Sequence, residues 1–308
     1  MWVEWPAACP ANHTTRRLAS ARRIHKLGDF VRSHRALYSL QKIIYSGVWE
    51  PLTNMLSRLF SRKGRSEVSL TGAAVPEGAR IYAIGDIHGR ADLLHRLHAL
   101  IDADFTEHTN RIVRVVYLGD YVDRGPNSAH VLEQLAAGAS DFVEVTLLRG
   151  NHEEMLLRFL KDPAVGPAWR QLGGLETLHS YGIDVSKVLS NEGYGGLSSR
   201  LNEEIPPHHR ALLDKLENSA TIGDYFFCHA GVRPGIALEQ QQPEDLIWIR
   251  APFLHAKEDF GKIVVHGHSP THRPDFRNNR INIDTGAYAT GKLTCLVLDG
   301  STRRILST

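Results

Sequence analysis

Cysteine is scarce in this chain: Cys9, Cys228 and Cys295 are the only three in 308 residues, and no two form a C-x-x-C pair. That excludes a disulfide framework and a thiolate zinc site, and it points to a reducing, cytoplasmic setting. Long apolar runs are lacking as well. No stretch approaches the ~18 residues of a membrane span, so no transmembrane segment is expected. Internal repeats and low-complexity tracts are missing, and 42% hydrophobic with 23% charged residues reads as an ordinary globular protein. Acidic residues are rare in one region only. Residues 1–65 hold twelve Lys/Arg against Glu4, Asp29 and Glu50, a balance of +9, while residues 66–308 carry 24 basic and 31 acidic residues, a balance of −7.

A basic, acid-poor opening suits a charged arm, a transit peptide or a disordered tail. It also suits a misassigned start, with translation beginning at Met55. Residues 1–75 are therefore expected to form a disordered or partly helical leader, with helical patches around residues 30–45, and residues 76–308 to form the globular domain. No specific nucleic-acid partner is expected.

From Arg80 onward the chain becomes regular. RIYAIGDIHG reads as a strand ending in Gly-Asp, followed by a helical stripe of Leu93, Leu94, Leu97, Leu100 and Ile101. IVRVVYLGD is a second strand, and Asn127 or Ser128 then caps a helix. FVEVTLLRGNHE is a third strand, leading into a helix. This alternation implies βαβ units and a largely parallel inner sheet, an α/β fold. Residues 154–218 read as mostly helical, with loops at Asp162-Pro163, Gly173-Gly174 and Gly195-Gly196. Strands return at YFFCHAG, KIVVHGH, RINIDTG and KLTCLVLDG.

The chemistry follows the strands. GDIHG, GDYVDRG, GNHE, CHAG and HGHS all fall at expected strand C-termini, the edge where open α/β sheets assemble their sites. Together they offer Asp86, His88, Asp120, Asn151, His152, His229, His266 and His268. Oxygen and imidazole donors without thiolate suit manganese, iron or zinc. Any one Asp after a strand is usually a cap or turn former, and a lone buried His is usually a core residue. Recurrence at five successive strand ends is what neither explanation covers.

GDIHG, 29 residues, GDYVDRG, 24 residues, then GNHE resembles the signature of the phosphoprotein phosphatase branch of the calcineurin-like metallophosphoesterases. CHAGV, LIWIR and VVHGHSP extend the likeness over about residues 80–300, and LIWIR with NIDTGAY is most similar to bacterial and phage-type members. The resemblance implies a two-sheet β-sandwich flanked by helices, with a helical insert, and makes residues 76–308 a catalytic domain. It implies Asp86 and His88 as ligands of a first metal, Asp120 as the bridge, and Asn151, His229 and His268 as ligands of a second. His268 is preferred over His266 because it stands in the Gly-His-Ser-Pro stretch. His152 resembles a general acid oriented by Asp123. Arg124, Arg250 and Asn151 resemble phosphate-binding groups, with Tyr288 nearby.

Two divalent ions are implied, manganese first, with iron or zinc as alternatives. One bridging carboxylate can serve two metals ~3.5–4 Å apart. Asp123 can charge His152, and Arg124 offers a planar fork to phosphate oxygens. The implied reaction is direct attack of a metal-bridging hydroxide on phosphoserine or phosphothreonine, so the expected partner is a phosphorylated protein or a small phosphoester. Cys228 is expected to be a buried strand residue rather than a nucleophile. One alternative is a symmetrical dinucleoside polyphosphate (diadenosine tetraphosphate) hydrolase, against which the intact Asp123 weighs. Another is an inert phosphate-binding scaffold, against which the complete ligand set weighs.

Overall fold

The computed structural model describes residues 72–106, 112–138 and 143–308. The expectations for residues 1–71, including the helical patches and the start at Met55, lie outside the described residues. Ala73 and Val75, just before the boundary expected at residue 76, are buried among the residues that pack between the sheets.

Two five-stranded sheets form the frame. The first has the order β10-β9-β1-β2-β3, with β1 (Ala79–Ile84), β2 (Ile112–Tyr117) and β3 (Val143–Leu147) parallel, and β9 (Thr294–Asp299) antiparallel to both β1 and β10 (Thr302–Ser307). The second has the order β4-β5-β6-β8-β7. In it β5 (Tyr225–Cys228), β6 (Ile263–His266) and β8 (Arg280–Asn282) are parallel, between the antiparallel edges β4 (Ser219–Ile222) and β7 (Asp275–Phe276).

Period-two alternation explains how the sheets stack. In β1, Ile81 and Ala83 face the second sheet, while Tyr82 and Ile84 face the helices. In β5, Tyr225 and Phe227 point between the sheets, and Phe226 and Cys228 point outward into a third apolar cluster. β1 and β5 are thus apolar on both faces, as a strand covered on both sides requires. Each large side chain fully buried there contributes about 1.5–3 kcal/mol of transfer free energy. The result is the expected α/β sandwich flanked by helices.

Residues 151–214 form the helical insert: Asn151–Lys161, Gly166–Gln171, Gly174–Ser180, Val185–Glu204 and Pro207–Asp214. Two local expectations fail. Gly195-Gly196 lies inside the helix Val185–Glu204, whose backbone break falls at Gly193, with φ 64° and ψ −159° that only glycine adopts at low cost. Leu100, assigned to the buried stripe, is 40% exposed. No helix among the described residues is long and apolar enough to cross a membrane.

Candidate metal and phosphate site

The five motif loops meet at the C-terminal ends of β1, β2, β3, β5 and β6. The first two interlock through their backbones: Ile87 and His88 N–H donate to the Asp120 carbonyl at 3.1 and 2.8 Å, and Gly89 N–H donates to that of Tyr121 at 2.8 Å. Among the described residues, the non-glycine positions with positive φ are His88, Asp120, Asp123, Arg124 and His268. All five belong to the sequence-predicted site. Such backbone costs on the order of 1–3 kcal/mol per residue and persists where surroundings over-determine it, typically at functional sites.

Asp120 is the hub. It is buried, with Oδ2 3.4 Å from His88 Nε2 and 3.7 Å from His152 Nε2, and Oδ1 3.3 Å from His229 Nε2. His88, Asp120 and His152 form one group of converging donor atoms, and Asp120, His229 and His268 form another, so Asp120 belongs to both. His229 Nε2 also lies 3.1 Å from Asn151 Oδ1. Asp86, from the first loop, accepts from the His268 backbone N–H at 3.0 Å. Gly267 permits this approach, because a Cβ there would stand 1.9 Å from Asp86 Oδ1.

The donors fit divalent metals. His88 Nδ1 pairs with the Val122 carbonyl and His229 Nδ1 with the Leu118 carbonyl, both at 2.9 Å. A carbonyl can only accept, so each Nδ1 carries a proton and each Nε2 is turned toward Asp120. Metal-ligating histidines are fixed in this manner. The electrostatics agree. Burial disfavours charge on Asp120, yet His229 and His152 hold its carboxyl well below the usual range. Asp120 in turn overcomes burial to push His229 up to about 10. Burial and neighbouring Asp284 hold Asp86 well above its ordinary value, and burial pushes Asp284 up to about 6. A pocket with this density of buried carboxylates calls for cations.

His266 and His268 are separated by geometry. His266 is fully buried beside Phe253, its Nδ1 donating to the Gly267 carbonyl at 3.0 Å and its Nε2 accepting from Arg280 at 3.4 Å. Both nitrogens are engaged away from Asp120. His268 instead stacks edge-on to His229 at 5.0 Å, with Nε2 accepting from Arg250 Nε at 3.0 Å. His268→Ala is therefore expected to remove one metal equivalent with the fold intact. His266→Ala should keep its metals and lose about 1–3 kcal/mol of stability, because Arg280 loses a buried acceptor. Metal content and thermal unfolding of the two variants check this, and the reverse order of metal loss would exchange the assignments.

His152 sits between an acid and a base. Its Nδ1 donates to Asp123 Oδ2 at 2.7 Å, and its Nε2 accepts from Arg124 Nη2 at 3.1 Å. Burial opposes charge on His152, but Asp120 and Asp123 outweigh it and raise its pKa. Arg124 also lies over the Tyr288 ring at 4.9 Å, and that ring meets His88 edge-on at 5.4 Å. The metal-type donors are buried, whereas Arg250 and Tyr288 are exposed and Arg124 half-buried, so the two arginines stand at the mouth.

Several site residues were not legible in the motifs. Glu153 accepts four backbone N–H groups, from Asp120, Tyr121, Val122 and Gly150, at 2.7–3.2 Å, and so shapes the Asp120 turn. Burial and then Asp120 push its carboxyl up to about 7. Trp169 Nε1 and Thr177 Oγ1, both from the insert, donate to Asp123 at 2.9 and 2.6 Å, and the Asp123 N–H is received by Ser128 and Thr177. Asp284 lies two residues past β8, where the strand-end rule that found the other loops would also have found it. Cys228 is a buried strand residue whose thiol burial pushes far up, as expected.

A buried carboxylate–imidazole cluster below two arginines has the layout of a metal-dependent phosphoesterase. The calcineurin-like phosphoesterase family pattern matches residues 79–295. The bis(5'-nucleosyl)-tetraphosphatase PrpE [asymmetrical] of Bacillus mycoides (strain KBAB4) is 30% identical over 234 residues, covering 69% of this chain and 88% of the relative. Its namesake from Bacillus subtilis (strain 168) is 32% identical over 235 residues, covering 68% and 87%. A crystal structure described as a candidate diadenosine tetraphosphatase matches the fold with a TM-score of 0.51 at 19% identity, over 77% of this chain and 98% of the other. The chain belongs to the calcineurin-like metallophosphoesterases. It is a metal-dependent phosphoester hydrolase by family.

Proposed function

We propose that this protein hydrolyses bis(5'-nucleosyl) tetraphosphates asymmetrically, using two divalent ions held by Asp86, His88, Asp120, Asn151, His229 and His268. The observation that carries this reading is the pair of relatives at 30% and 32% identity over 88% and 87% of their own length, both named for that activity. It replaces the phosphoprotein reading as the main one and differs from the symmetrical alternative in the bond cut.

Two divalent ions held by these residues would supply charge neutralisation and Lewis acidity at the phosphate. The chain's residues do the rest. Asp120 presents one oxygen to the His88 side and the other to the His229 side, so a single anion would serve both groups of donors. Arg124 and Arg250 each donate to an imidazole Nε2, at 3.1 and 3.0 Å. Turning to the phosphate oxygens would release both rings: His268 to act as a ligand, and His152 to carry a proton on Nε2. Bidentate arginine–phosphate contacts are strong and directional enough to drive that exchange. Asp123 holds His152 by Nδ1 and favours its protonated form for transfer to a leaving oxygen.

A phosphomonoesterase reading remains as the second, favoured by the intact His152–Asp123 pair at 2.7 Å. A turnover panel in Mn²⁺ separates the two. Diadenosine tetraphosphate is expected to be the best substrate, giving AMP and ATP, with phosphopeptide and para-nitrophenyl phosphate slower. Two ADP would mean symmetrical cleavage, and preferred turnover of the phosphopeptide would restore the phosphatase reading.

A further inference from the structure

A second convergence of metal-type donors lies outside this site. Glu133, on the helix Ser128–Ala136, and His208 and His209, on the insert helix Pro207–Asp214, bring one ligand atom each within 4.8 Å of one another. We propose that Glu133, His208 and His209 form a zinc-type transition-metal site that fastens the helical insert to the helix following the Asp120 turn.

The side chains are arranged for chelation. Both Nε2 atoms address the same Glu133 oxygen, His208 at 2.8 Å and His209 at 3.0 Å. Adjacent helical residues project about 100° apart, so they seldom reach one target. Here the two rings stand edge to face, with centroids 4.5 Å apart. The Tyr181 hydroxyl lies 2.9 Å from His209 Nδ1, an outer partner of the kind that orients a ligating imidazole. Two imidazoles and a carboxylate are a common protein donor set for zinc, with water as the fourth ligand. The side chains of His208 and Glu133 are 52% and 59% exposed, which leaves room for that water and a route of entry. His209 is buried, so its ring is held in place between Glu133 and Tyr181.

Binding displaces the Nε2 protons. At His209 the proton moves to Nδ1, which then donates to the Tyr181 oxygen; at exposed His208 it likewise moves to Nδ1, where solvent can accept the hydrogen bond. The site would tie down the same insert that delivers Trp169 and Thr177 to Asp123. It is independent of the substrate reading above.

The test compares the full chain with His208→Gln and Glu133→Gln, each dialysed against buffered zinc and analysed for metal. Zinc entering the main site contributes equally to all three and cancels in the differences. The unaltered chain is expected to hold one more zinc per chain than either variant. Zinc at about a hundred times its Kd should raise its Tm about 5 °C further than theirs. Equal turnover of para-nitrophenyl phosphate in all three would show that their folds and main sites are intact. Equal zinc content and equal Tm shifts would reduce the trio to a hydrogen-bonded surface contact and overturn the proposal.

Discussion

Asp120→Asn is expected to abolish turnover with little change in stability. The asparagine side chain has the same shape and tolerates the backbone at this position, where φ is 54°. It can still accept the His152 backbone N–H, which Asp120 Oδ1 receives at 3.1 Å. The charge is what it cannot replace. Asp120 faces His88 with one oxygen and His229 with the other, so its neutralisation weakens both groups of donors together. Loss of a supporting partner at a metal site typically costs about 10–100-fold in affinity or activity. Loss of a ligand shared by two ions should exceed that. Metal content and kcat, measured alongside thermal unfolding, check it. Near-wild-type turnover in added Mn²⁺ would remove Asp120 from the bridging position.

What the sequence reveals of this site follows from how its residues are spaced. Asp86, His88, Asp120, Asn151, His152, His229 and His268 were legible because each lies within a few residues of a strand's end, where local pattern and site coincide. The parallel β1, β2 and β3 were legible for the same reason. Trp169 and Thr177 were not, since they reach Asp123 from 46 and 54 positions away, through the packing of the insert. Glu153 was in plain view in GNHE, yet its role as acceptor for backbone N–H groups of two loops exists only once those loops meet. The edge strands β4 and β7, at four and two residues, are too short to show periodicity. β10, TRRILS, is masked by its paired arginines.

Substrate preference was the least legible property, because the motifs name metal-type donors and not the groups around them. The motifs are contiguous, but Arg124, Arg250 and Tyr288 come from three separate segments. Their placement beside the histidines is tertiary. Asp123 illustrates the difficulty. Its presence was read as a mark of a protein phosphatase, yet the relatives that share about 30% identity with this chain are named as tetraphosphatases. The pairing of Asp123 with His152 is therefore informative about the leaving group, and a kinetic comparison can read it directly.

His152→Asn is expected to lower kcat by about 10²–10⁴-fold for an alkyl phosphate such as a phosphoserine peptide. The departing serine oxygen is a poor leaving group unless a proton meets it. His152 is the buried imidazole positioned to supply one, with Nδ1 anchored on Asp123 at 2.7 Å and Nε2 directed toward the Arg124 side of the site. A tetraphosphate behaves differently. Its departing group is itself a phosphate, whose last pKa is about 6, so it leaves as a stable anion at neutral pH. The loss for diadenosine tetraphosphate should therefore be much smaller, and para-nitrophenyl phosphate should behave in the same way. Asp123→Asn should show the same selectivity more weakly, because it removes the anchor and the charge that raises the His152 pKa while the imidazole stays. The asparagine introduced at 152 can still hydrogen-bond a phosphate oxygen, so a binding role would leave KM altered and the substrates equally affected. Equal losses across all three substrates would show that His152 serves the metals or the phosphate rather than the leaving oxygen.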